Sequence, residues 1–290
     1  MNIIALAPYS AKIIKSLSGI KKIELANIIV IGNKKRFLRV CEENNIESTF
    51  VIHDLEVENL IIQKAQEIYQ ASDLIICGEI SMYYKKKLCN VLDNEEFQYL
   101  NIIDLPDLRH FLFVCNYNNY RNIDFEDKKK AILEASKFMN GIGIRKTNVA
   151  FVSNTNSKAD ALEANIIRMI LNDTKHHDLL QYHQRVIKIY DSYKLFDLFN
   201  RESNLNIYRN NINLLVVKSI EVSRMFVDAL SVFGNCKVGS LLTYKDKYII
   251  EGDELKDEEN ILFSTLVISR VIKNQKNYSN KRQLALKAIE

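Results

Sequence analysis

The sequence predicts an α/β protein of two domains, each with a mostly parallel sheet flanked by helices. Three observations predict it. Short apolar runs alternate with amphipathic helical patterns along the chain, the order expected of strands joined by right-handed helical crossovers. The apolar runs are rich in Ile, Val, Leu and Phe and alternate little in polarity, as strands buried on both faces do. Two glycines, Gly32 and Gly78, end apolar runs, and ligands of open α/β sheets bind at such carboxyl ends. A tight turn accounts for both glycines equally well.

The expected strands are Asn2–Leu6, Ile28–Ile31, Thr49–His53, Leu74–Gly78, Tyr99–Ile103, Phe111–Cys115, Asn148–Ser153, Val186–Tyr190, Asn213–Val217, Lys237–Thr243 and Lys247–Ile250. Between them, apolar residues recur at helical spacing. This predicts helices over Ser10–Leu25, Lys34–Asn44, Val57–Ala71, Met82–Leu92, Glu126–Asn140, Lys158–Leu171 and Val222–Phe233, with a last helix over Asp257–Ile272. The run Asn140-Gly141-Ile142-Gly143 follows a helix instead of a strand and lacks a third glycine. It reads as a helix C-cap, not a phosphate loop. The expected domain boundary lies just after it. That gives a first domain of 1–144 completed by 252–290, and a second of 145–251.

Composition narrows the function classes. The 290 residues are 47% hydrophobic and 26% charged, enough to bury a sizeable core. The net charge of +4 is mild, and Lys and Arg are scattered; nucleic acid is not an expected partner. The one basic patch, Lys85-Lys86-Lys87 after Tyr83-Tyr84, is expected to be a solvated helix face. No apolar run approaches the ~20 residues needed to span a bilayer. Met1–Pro8 lacks the basic start of a signal peptide. A cytoplasmic location follows as the expectation, with Cys41, Cys77, Cys89, Cys115 and Cys236 as reduced thiols. Their spacing matches no zinc pattern, and no metal site is expected. His176-His177, Asp173 and His183 read as a polar loop. Cys77 and Cys115 end strands but have no identifiable His or acid partner, so they read as core residues. Arg109-His110 reads equally as a surface turn or as facing a ligand.

Several segments carry a resemblance. Asn213–Lys245 combines an apolar strand, a turn containing Glu221, a helix, and Val232-Phe233-Gly234-Asn235-Cys236-Lys237-Val238-Gly239 leading into the next strand. Phe111–Cys115 is a strand followed by Asp124-Phe125-Glu126-Asp127-Lys128-Lys129 opening a helix. Asn148-Val149-Ala150-Phe151-Val152-Ser153 and Leu25–Gly32 fit further strands. In this order and spacing, the chain resembles the phosphate acetyl/butyryltransferase family. The resemblance implies two α/β domains of the isocitrate-dehydrogenase-like type with a cleft between them. It also implies a homodimer, and interconversion of acyl-CoA plus phosphate with acyl phosphate plus CoA. CoA or acyl-CoA would be substrate or ligand, alongside phosphate, with no other cofactor.

The departures from the family pattern fall on its functional positions. The family turn Pro-Asn-Ile-Glu-Ala-Gly-Asn corresponds to Lys218-Ser219-Ile220-Glu221-Val222-Ser223-Arg224. The family Asp-Ala-Ala-Ile-Asn motif falls on Asn116-Tyr117-Asn118-Asn119-Tyr120, so Asn116 and Tyr120 replace its aspartate and asparagine. The glutamate of Ser-x-x-Glu falls on Asn156. The Ser-Arg pair of the Ser-Arg-x-Asp motif, which carries the catalytic serine and a phosphate-binding arginine, falls on Asp253 and Glu254. The expectation is a divergent phosphate acyltransferase-like protein with catalysis weakened or lost. The remaining ligand-binding candidates are Gly78, Ser153, Glu221, Ser223 and Arg224. Ser223 is expected either to cap a helix or to hold an anion with Arg224. One alternative is an active enzyme in which Arg224, Ser223 and Lys218 replace the missing groups. The other is a non-enzymatic ligand-binding or assembly subunit on the same fold.

Overall fold

The computed structural model describes residues 1–69, 74–91, 97–117, 125–153, 162, 164–169, 186–204, 206–245, 247–255 and 257–287. The chain forms two compact units, 1–97 with 239–290 and 98–238.

The first unit follows the expected alternation. It comprises β1 (Asn2–Leu6), α1 (Ala11–Lys22), β2 (Asn27–Gly32), α2 (Lys34–Glu43), β3 (Val51–Asp54), α3 (Glu58–Ile68), β4 (Leu74–Cys77) and α4 (Met82–Cys89). Its sheet runs β3-β2-β1-β4, and each of these neighbours is parallel. β1 supplies the centre with Ile3, Ile4, Ala5 and Leu6, all at most 1% exposed. The run is apolar on both faces because helices cover both.

The second unit comprises β5 (Gln98–Asp104), β6 (Leu112–Tyr117), α5 (Phe125–Gly141), β7 (Lys146–Val152), β8 (Val186–Tyr193), α6 (Leu195–Phe199), α7 (Ile207–Asn210), β9 (Leu214–Val216) and α8 (Ile220–Phe233). Its strand order is β5-β6-β9-β7-β8, parallel except for β5 against β6. Phe113 of β6 meets Phe138 of α5 edge-on, 6.3 Å between ring centres, on one face. Val114, Leu215, Val217, Leu198, Ile207 and Val227 pack together on the other. Helices α5 and α8 therefore cover opposite faces, since successive strand residues point to opposite sides. The chain returns to the first unit through β10 (Lys237–Tyr244), β11 (Lys247–Glu251) and α9 (Glu258–Lys287). There β11 lies parallel to β4 and antiparallel to β10.

These boundaries differ from the expected 1–144 plus 252–290 and 145–251. β5 and β6 pair with each other, and β6 pairs with β9, so the second unit begins at Gln98 instead of Arg145. β11 lies beside β4 and belongs to the first unit instead of closing the second. Helix α5 ends as expected, with the Gly143 N–H donating to the Asn140 carbonyl at 2.9 Å and Gly143 at φ +99°. The last helix runs past Ile272 to Lys287 because the polar stretch beyond carries neither Gly nor Pro. The run Lys85-Lys86-Lys87 does not share one solvated face: Lys85 is 7% exposed.

Candidate functional site

The first unit gathers polar groups at the carboxyl ends of β1, β4 and β11. β1 and β4 are adjacent strands at which the chain reverses its direction across the sheet, the usual ligand position in this class. Gly78 stands there, but a Cβ on it would lie 2.2 Å from the Ala7 carbonyl oxygen. The crossing of two backbones accounts for this glycine without a ligand. Gly32 makes similar room for the Tyr9 hydroxyl, 2.6 Å from where its Cβ would be. That hydroxyl accepts the Asn33 N–H at 2.6 Å. Arg36 lies 4.3 Å from the centre of the Tyr9 ring and pairs with Glu79 at 2.6 Å.

Asp253 and Glu254 occupy the exposed turn after β11. Lys12, in the first turn of α1, donates to the carbonyls of Asp253 at 2.7 Å and Leu255 at 2.6 Å. Partial desolvation raises the Asp253 pKa, with Glu79 adding to the shift; Lys12, Ser10 and Lys85 oppose it. Two residues before Asp253, Glu251 accepts from Lys85 at 2.5 Å, both side chains 9% exposed. Lys85 nevertheless has a raised pKa. Burial lowers it, but the fields of Cys77 and Glu251 and the hydrogen bond to Glu251 outweigh burial. The cations at this edge thus face carboxylates and carbonyls of the chain itself.

The second unit brings Asn116, Glu221, Ser223 and Arg224 to the ends of β6 and α8. Helix α8 starts at Ile220, two residues before the expected Val222. Ser219 caps it, accepting the Val222 N–H at 3.3 Å. Ser223 is therefore not the cap. It lies inside the helix, 1% exposed, and accepts from the Asn101 amide at 2.9 Å. Arg224 donates to the Tyr99 hydroxyl at 2.8 Å. Glu221 has a lowered pKa, chiefly from its own backbone N–H, then from Ser219 and Arg224. Asn116 is 1% exposed, and neither of its amide atoms has a hydrogen-bond partner among the described residues. An unpaired buried group of this kind costs about 1–3 kcal/mol. Ser153 follows β7, 2% exposed, its N–H donating to the Tyr193 carbonyl at 2.9 Å. β9 lies between β6 and β7, which sets Ser153 apart from Asn116.

Tyr120, Asn156 and the group of Asp173, His176, His177 and His183 lie outside the described residues. Among the described residues, no cluster of His, Cys, Asp and Glu could hold a metal ion, and no helix is long and apolar enough to cross a membrane. Burial pushes the Cys77 and Cys115 thiols up to about 12, which suits core residues and not nucleophiles. An open pocket of 340 Å³ in the second unit is lined by Asp107, Arg201, Asn206, Tyr208 and Arg209. Arg201 pairs with Asp107 there, and Arg209 donates to Asn204 at 3.0 Å.

Sequence reasoning missed Lys12, Arg36, Tyr99 and Asn101. One signal was present for Lys12: a cation in the first turn of a helix opposes the macrodipole and needs another reason to be there. Tyr99 and Asn101 reach the site only through strand register, with Tyr99 opposite Asn116 and Asn101 opposite Val114.

No family model and no curated protein matches the sequence. Solved structures do match. A branched-chain phosphotransacylase from Enterococcus faecalis V583 superposes with a TM-score of 0.71 at 14% identity, covering 94% of this chain and 99% of that one. A phosphotransacetylase from Streptococcus pyogenes gives 0.67 at 8% identity, with 94% of each chain covered. The EutD phosphotransacetylase from Staphylococcus aureus gives 0.65 at 10%, again with 94% of each covered. The chain has the fold of the phosphotransacylases.

Proposed function

We infer that this chain is a divergent phosphate acyltransferase-like protein whose transfer of acyl groups between CoA and phosphate is weakened or lost. One observation carries the reading. The turn after β11 is anionic at the two positions where the resemblance calls for Ser-Arg, and the neighbouring Lys12 is held on that turn's own carbonyls. Two like charges about 4 Å apart repel by about 4 kcal/mol at an effective dielectric of about 20. Loss of one oxyanion donor costs about 3–4 kcal/mol of activation energy. Together these effects remove most of a transferase's rate enhancement.

On this reading CoA, acyl-CoA or phosphate is the ligand class, in a cytoplasmic protein with no nucleic-acid or membrane partner. The substitute-residue alternative loses support because Ser223 is buried and accepts from Asn101. The test is release of CoA from acetyl-CoA or butyryl-CoA in the presence of phosphate. The expected result is no phosphate-dependent release above background. Turnover like that of the Enterococcus faecalis phosphotransacylase under the same conditions contradicts the reading.

A specific observation favours a second reading, an assembly subunit that forms a homodimer. Helix α8 exposes Val222 (41%), Met225 (73%), Val232 (58%) and Phe233 (88%) at helical spacing. Apolar side chains exposed in such a stripe are what association surfaces present. Sedimentation of the wild type beside Met225→Glu/Phe233→Glu tests it: a dimer that the substitutions dissociate supports this reading, and a monomeric wild type contradicts it.

A further inference from the structure

Asn116 lies one residue before the end of β6, which pairs with β9, and the two strands pass their chains to helices on opposite faces of the sheet, α5 and α8. Ligands of open α/β sheets bind at such reversals. Alternation along β6 puts Asn116 on the side of Val114, which is the side α8 covers. Its register partner across the sheet is Tyr99, whose hydroxyl accepts from Arg224 of α8. Asn116 is 1% exposed, with both carboxamide atoms unpartnered among the described residues. Buried polar groups are nearly always matched, so each exception asks what would match it.

The start of α8 is already served by protein groups. Ser219 accepts the Val222 N–H, and the Glu221 carboxylate is held ionised by its own backbone N–H. An anion at this place would meet Glu221 and would leave the Asn116 Oδ1 acceptor unmatched. The carboxamide offers a donor and an acceptor side by side. Its complement is a neutral planar edge with the same two functions reversed. An adenine base presents one through N6–H and N7, the pairing asparagine makes with adenine in DNA; a primary carboxamide presents another.

We propose that Asn116 is the recognition group of a binding site beneath the first turn of α8 that takes a neutral planar donor–acceptor edge, an adenine base or a primary carboxamide. The low exposure of Asn116 makes the competent state a minor one, and apparent affinity falls in proportion to its population. The inference is independent of acyl transfer, since binding is expected whether or not CoA is turned over.

Thermal unfolding of the full chain tests it with four probes: adenosine, N6,N6-dimethyladenosine, nicotinamide and nicotinate. A ligand of the folded state raises its midpoint. At saturation, adenosine or nicotinamide is expected to raise the midpoint by about 2 °C or more; which of them does so identifies the source of the edge. The dimethylated base and the carboxylate, each lacking the donor, are expected to give no shift. Asn116→Leu is expected to melt above the wild type without ligand and to lose the shift. Three results overturn the proposal: no shift from either amino-bearing probe, equal shifts from the donorless counterparts, or Asn116→Leu melting below the wild type. The wild-type comparison decides alone if the variant does not fold.

Discussion

The Lys85 ammonium lies 2.5 Å from a Glu251 carboxylate oxygen, and both side chains are 9% exposed. Lys85 lies on α4 and Glu251 ends β11, 166 positions apart in the chain. Removing one partner leaves a buried charge unpaired. Lys85→Met or Glu251→Gln alone is expected to destabilise the protein by about 3–5 kcal/mol, whereas replacing both with apolar residues costs far less. Urea unfolding of the two single variants and the double variant measures the difference.

The same pair predicts an alkaline limit. Lys85 has its pKa raised above 10.5 in the folded protein. A raised folded-state pKa stabilises fully below the unfolded value, and that stability is lost as pH rises through the folded value. The stability difference between the wild type and the doubly apolar variant should therefore be constant from pH 7 to pH 9 and should shift against the wild type above pH 10.5.

Asp253 behaves in the opposite sense from a paired aspartate. Desolvation and Glu79 raise its pKa above 3.8, so its ionised form is held less favourably than in the unfolded chain. The favourable contribution exists below 3.8 and is lost as pH rises through the folded value. Asp253→Asn is then neutral or slightly stabilising at pH 7. The exposed turn screens the effect to less than about 1 kcal/mol. Calorimetric midpoints at pH 7 and pH 3.5 check both the sign and its disappearance.

Two serines at the start of α8, Ser219 before it and Ser223 within it, separate capping from packing. Ser219→Ala removes the cap and is expected to cost about 1 kcal/mol. Ser223→Ala strands the Asn101 amide donor in the interior, at about 1–3 kcal/mol. Denaturant midpoints that rank Ser219→Ala as the more damaging change would contradict this assignment.

All five cysteines are buried, and burial pushes Cys77, Cys89 and Cys115 up to about 12. A thiol reagent at pH 8 should label none of these three in the native chain, and all five after unfolding. Prompt native labelling of Cys77 or Cys115 would restore the nucleophile reading.

The fold was legible because its signals are local. Ile3–Leu6 and Leu74–Cys77 are short apolar runs without alternation, and each became a buried parallel strand. The unit boundaries were not legible, because the pairing of β6 with β9 and of β11 with β4 joins segments far apart in sequence. The site was legible by position only. Asp253, Glu254 and Asn116 were marked by what they replace. That Lys12 is tied to the turn, that Ser223 faces Asn101, and that Asn116 has no partner among the described residues all depend on register and packing. Ser223 was misread because Ser219, four residues earlier, is an equally good cap and the helix begins there.

The most direct test compares the wild type with Asp253→Ser/Glu254→Arg in phosphate binding by calorimetry and in phosphate-dependent CoA release. The expected result is no detectable phosphate binding or turnover in the wild type and measurable phosphate binding in the double variant, which exchanges a carboxylate for a guanidinium at the turn. Rapid CoA release by the wild type, left unchanged or lowered by the substitutions, would contradict it.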